Sequence, residues 1–92
     1  MENKEGSFQG IGGLELFCQS WRGEGRPRAA LAIIHGFGEH SGRYLNVVSH
    51  LVPQGYAIHG FDLRGHGRSP GQRGHIESWE EYRGDVKNFL HM

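Results

Sequence analysis

Three glycine-rich stretches carry the residues of this chain that could do chemistry. The first, His35-Gly36-Phe37-Gly38-Glu39-His40-Ser41-Gly42, separates an apolar run from a helical pattern. Open α/β sheets bind ligands at the carboxyl ends of their strands. Glycines there let backbone N–H groups approach a ligand oxygen, and the helix that follows adds positive potential. A ligand-free βα turn would use the same glycines. Read as a dinucleotide site, Gly36-x-Gly38-x-x-x-Gly42 precedes Asp62 by about 20 residues, where an acid could reach a ribose hydroxyl. One residue too many in the spacing, and Glu39 beside a pyrophosphate, count against such a nucleotide-binding βαβ module. A second stretch, Gly67-Arg68-Ser69-Pro70-Gly71, matches G-x-S-x-G, the spacing of a serine nucleophile elbow. The residue after that serine must donate its N–H to an oxyanion, and Pro70 has none. Ser69 is therefore not expected to be a nucleophile. The third, Gly71-Gln72-Arg73-Gly74, runs into His75-Ile76-Glu77, which imitates the start of a zinc deaminase but has no cysteine pair after it. Seven histidines without a His-x-x-x-His helix face give no metal site, and no cofactor is expected.

The elements that must hold these loops are legible in the apolar pattern. Leu14 to Trp21 alternates imperfectly, with Leu14 and Leu16 on one face and Phe17 and Trp21 on the other, and reads as a strand. Gly12-Gly13 joins it to a short Ser7–Ile11 segment as a hairpin. Ala29 to Ile34 is apolar throughout, which suits a strand buried on both faces. From Ser41, the residues Tyr44, Val47, Val48, Leu51 and Val52 keep helical spacing until Pro53 and Gly55. Tyr56 to Asp62 is a further strand, and Leu63 to Gly74 a Gly/Arg loop. Ser78 with Glu81 has the spacing of a capping box, opening a helix with Tyr82, Val86, Phe89 and Leu90 as its apolar stripe. The order is a β-hairpin followed by β-α-β-α.

The 92 residues carry 10 Lys+Arg against 10 Asp+Glu. A neutral chain of this length suits one small α/β unit and argues against nucleic acid as a partner. The 16 glycines, against a usual share of about 7%, demand a backbone that turns often. The N-terminus Met1-Glu2-Asn3-Lys4-Glu5 lacks a signal-peptide core, and the longest apolar run falls far short of the roughly 20 residues of a transmembrane segment. With a single cysteine, a cytoplasmic location is the expectation.

The first loop, taken with Gly60-Phe61-Asp62-Leu63-Arg64-Gly65-His66-Gly67-Arg68-Ser69 and Gly71 to Ile76, resembles the N-terminal part of monoacylglycerol lipases and lysophospholipases. These are serine hydrolases of the S33 type with the α/β-hydrolase fold. The likeness runs from Gly6 to about Leu90. It implies that residues 1–92 form an incomplete domain ending within a helix, and that the complete protein takes monoacylglycerol or lysophospholipid esters. Peripheral contact with a membrane is compatible with such a substrate.

By the same resemblance, the Phe37 amide is one oxyanion donor, and His35, Gly36 and Gly38 shape the turn against the substrate. A preorganised donor of this kind contributes about 2.7–4 kcal/mol to lowering the barrier. Glu39 and His40 anchor the turn, Asp62 and Arg64 pin the loop after the fourth strand, and Asp85 is a helix surface or packing residue. The nucleophilic serine, acid and histidine of the family fall beyond Met92, so this chain alone is expected to be inactive. Without the nucleophile strand, Ala29–Ile34 becomes an open sheet edge prone to self-association. A truncated, non-enzymatic remnant that only pairs with other chains is the competing expectation.

Overall fold

The computed structural model describes residues 1–36 and 39–92. Its centre is the strand β2 (Glu15–Arg22), whose alternation offers an apolar set to each face. On one side β2 pairs antiparallel with β1 (Glu2–Gln9), and on the other with β4 (Tyr56–Phe61). The strand β3 (Ala29–Ile34) lies parallel to β4, giving the order β1-β2-β4-β3. The connection from β3 to β4 runs through a 3-10 turn (Ser41–Tyr44), the helix α1 (Leu45–Leu51) and a second 3-10 turn (Val52–Gln54). The helix α2 (Trp79–Leu90) follows the long loop after β4.

Each sheet face has its own core. Trp21 and Ile58 pack with Val48 and Val52, supported by Ile33 and Leu51. On the opposite face, Phe8, Leu16 and Phe61 pack with Tyr82 and Phe89 of α2. The Phe61 ring meets Phe8 edge-on at 5.1 Å and Phe89 at 4.7 Å between centroids. Such contacts add to the burial of large apolar area. Among the described residues, no helix is long and apolar enough to cross a membrane.

The element order matches the sequence pattern, but three local expectations do not hold. The first hairpin strand is not a short Ser7–Ile11 segment: β1 spans eight residues from Glu2. Only Phe8 along it is buried, so its extended state comes from pairing with β2 rather than from an apolar rhythm. The strand β3 is not buried on both faces. Five of its six residues are exposed and Ile33 is half-buried, because β3 is the sheet edge and α2 packs over β1 and β4 instead. The capping box does not form. Ser78 is the N-cap without a side-chain bond, and the Glu81 carboxylate accepts the Glu77 N–H at 2.8 Å while its other oxygen meets Arg64.

Candidate functional site

The carboxyl ends of β3 and β4 lie side by side in the parallel pair, with Ile34 in register with Phe61. The two glycine-rich loops therefore leave the sheet together. His35, 3% exposed, is the stitch between them. The Leu63 N–H donates to its Nε2 at 2.8 Å, and Nδ1 lies 2.7 Å from the Gly36 carbonyl. A backbone N–H can only donate, so Nε2 is bare and Nδ1 carries the hydrogen. Burial pushes the His35 pKa below the usual histidine value, opposed in part by the Gly36 carbonyl and the Asp62 charge. The ring is thus held neutral in the tautomer this bonding requires.

Asp62 is the second stitch and is 1% exposed. Its Oδ1 accepts the Ser41 N–H at 2.6 Å from the first loop, and its Oδ2 accepts the Arg68 N–H at 2.9 Å from the second. Ser41 is fixed further by the Gln19 amide, which donates to its hydroxyl at 2.8 Å. Both Asp62 oxygens are spent on backbone donors, so a dinucleotide site is left without its acid. Gly67 passes close by with φ +49, and a Cβ there would sit 2.5 Å from Asp62 Oδ2 and 2.7 Å from the exposed His40 Cβ. Glycine is required on both counts. Ser69 is 1% exposed. Its hydroxyl accepts the Phe17 N–H at 2.9 Å and donates to the Asp62 carbonyl, which makes it a brace and not a nucleophile.

Arg64 ties the second loop to α2. Its guanidinium makes a two-pronged contact with Asp85, Nε to Oδ2 at 2.8 Å and Nη2 to Oδ1 at 2.9 Å. It also reaches Glu81 at 3.1 Å and the Ile11 carbonyl at 2.7 Å. Asp85 Oδ1 accepts the Ile11 N–H at 2.8 Å, so the first hairpin turn joins the same network. Asp85 is fully buried and its helix-surface assignment fails: it is the counter-ion of Arg64. Sequence reasoning missed this partnership. The available signal was an acid set three residues after Tyr82 and four before Phe89, inside the apolar stripe of α2, where a carboxylate needs a cation.

Gly36 is held from both sides. Its N–H donates to Glu39 Oε1 at 2.9 Å, and its carbonyl accepts the Glu39 N–H at 3.0 Å in addition to the His35 ring. The predicted oxyanion donor Phe37, with Gly38, lies outside the described residues. An apolar groove of about 630 Å³ opens beside His35, lined by Ile34, Leu63, Tyr82, Val86 and Leu90. The exposed Trp79 stands at its rim. Chemically, the arrangement offers a buried, hydrogen-bonded histidine at a strand end, beside apolar space.

Comparison with known proteins gives these loops a context. A family model described as serine aminopeptidase, S33, matches residues 25–92. A monoacylglycerol lipase of Mycolicibacterium smegmatis is 35% identical over 86 residues, 94% of this chain and 31% of that protein. Human monoglyceride lipase is 36% identical over 74 residues, 80% of this chain and 24% of its own length. Protein K6 of vaccinia virus is 35% identical over 65 residues, 71% of this chain and 80% of K6. Among solved structures, a lipase in its open form superposes with a TM-score of 0.85 at 28% identity, covering 98% of this chain and 31% of that one. A carboxyl esterase from Bacillus coagulans gives 0.84 at 25% identity, covering 99% and 31%. This chain thus spans about a quarter to a third of the lipases it matches.

Proposed function

Because the chain belongs to the serine aminopeptidase S33 family of α/β hydrolases and carries the N-terminal portion of that fold, we propose that it supplies one half of an oxyanion hole for a serine carboxylester hydrolase. The backbone amide of Phe37 donates to the ester oxygen as negative charge builds during acyl transfer. His35, Gly36 and Gly38 shape that turn, while Glu39, His40, Asp62 and Arg64 hold it in place. The substrates are monoacylglycerol- or lysophospholipid-like esters, whose acyl chains suit the apolar groove. One observation carries the proposal: His35 clasps Leu63 with one nitrogen and the Gly36 carbonyl with the other. The Gly36 carbonyl, at the entry to the turn, is thereby held before any substrate arrives. The single cysteine, Cys18, is free and buried, in keeping with a reducing cytoplasm.

The triad is assigned to no residue of this chain, so the 92 residues alone hydrolyse no ester. The test is release of p-nitrophenol from a short-chain ester by the chain alone and after addition of a chain bearing the C-terminal two thirds of a relative. Turnover only in the mixture is expected. Turnover by the 92 residues alone overturns the assignment.

A second role rests on the open β3 edge: a short, non-enzymatic chain that pairs with others, of a span similar to Protein K6, 80% of which is the matched region. The β3 edge has no proline or charge from Ala29 to Ile34 to block added strands. On size-exclusion chromatography the chain is expected to elute as an oligomer, with Leu31→Lys returning it to the monomer. A sharp wild-type monomer sinks this role.

A further inference from the structure

We propose that Glu39 is a positioning residue whose ionised carboxylate clamps the turn after β3 to the entry of α1. The inference rests on that turn being the oxyanion donor, but its geometry stands apart from catalysis. A single oxygen, Glu39 Oε1, accepts both the Gly36 N–H at 2.9 Å and the Tyr44 hydroxyl at 2.7 Å. The other oxygen faces Arg43 Nε at 3.5 Å. Tyr44 closes the 3-10 turn that leads into α1, so one carboxylate joins the last backbone group before the turn to the first helical element after it.

Charge strengthens both bonds to that oxygen, since hydrogen bonds to an ionised acceptor are shorter and stronger than neutral ones. The clamp completes the immobilisation of Gly36. With the N–H on Glu39 and the carbonyl on His35 Nδ1 and the Glu39 N–H, the most permissive residue type loses its freedom at the point where direction matters. Close approach is part of the device, because a Cβ on Gly36 would stand 2.9 Å from Glu39 Oε1. The charged and titratable groups facing the carboxylate are Tyr44, Arg43 and His35. The Tyr44 hydroxyl, then the Gly36 N–H, hold its pKa below the usual glutamate value. The Tyr44 phenol is raised in turn, chiefly by that same bond.

The experiment is a pH titration of the backbone amides of the 92-residue chain by proton–nitrogen NMR. The Gly36 amide proton is expected to titrate with a midpoint below the ordinary glutamate value. Glu39→Gln abolishes that titration, and Tyr44→Phe keeps it but moves the midpoint up. Amide exchange of a peptide covering 35–44, read by mass spectrometry, gives a second measure that tolerates self-association. Glu39→Ala is expected to speed exchange roughly tenfold, the scale of losing a charge-assisted bond, with partial rescue by Gln. A Gly36 amide indifferent to Glu39, or a midpoint unmoved by Tyr44→Phe, overturns the clamp. The ester assay reports on the oxyanion assignment separately: a titrating Gly36 with no turnover in the mixture removes that assignment and leaves the clamp standing.

Discussion

The loop after β4 and the turn after β3 are both rich in glycine, yet they are held by different means. In the β4 loop three polar side chains are buried and satisfied internally: Asp62, Arg64 and Ser69 are each at most 8% exposed and bond to backbone or to the acids of α2. In the β3 turn His35 and Ser41 are the buried groups among the described residues, and between them stands a partly exposed carboxylate, Glu39. Buried, fully paired groups make a scaffold, because any change leaves an orphan in low dielectric. The β3 turn is held at its two described ends, by His35 at the base and by Glu39 at the exit.

Two substitutions break this contrast from opposite sides. The largest effect is expected at Asp85→Ala, which takes the two-pronged partner from the buried Arg64, leaves it Glu81 as its one carboxylate, and frees the Ile11 N–H. Loss of one partner of a buried pair costs about 3–5 kcal/mol, enough to unfold a chain of this size under mild urea. An unfolding midpoint within error of the wild type shows that Arg64 finds solvent instead. A smaller, pH-graded effect is expected at His35. Its folded pKa is depressed below the unfolded value of 6.5, so the unfolded chain takes up the proton first. The contribution of His35 is fully present above about pH 6.5 and is lost as pH falls through the folded pKa. Urea midpoints should decline on that acid side, and His35→Gln should flatten the decline. Identical slopes for both proteins remove His35 from the pH response.

How much of this was legible in the residues depended on whether the cause was local. The helix from Tyr44 to Val52 and the strand from Tyr56 were readable because a period of 3.6 or a bounded apolar run is a property of neighbours in sequence. Gly55 ends that helix in the left-handed region, with φ +99, as the glycine after the apolar stripe implied. The extent of β1 was not readable, since Glu2 to Ser7 carries no apolar rhythm and is extended only because Arg22 to Phe17 lie opposite. The capping box failed for a similar reason: Arg64, distant in sequence, competes for Glu81.

At the site the division is sharper. Residue order alone was enough to mark the two glycine loops and to reject Ser69 on the missing Pro70 N–H, since these rest on covalent chemistry and spacing, while the family came from the resemblance those loops carry. Only the fold decided that His35 would clasp Leu63, that Asp62 would spend both oxygens on two separate loops, and that Asp85 would meet Arg64. Likewise, six apolar residues in β3 can sit at the middle of a sheet or at its rim. Burial and ion pairing are set by what packs alongside, and that is a property of the assembled chain rather than of any one segment.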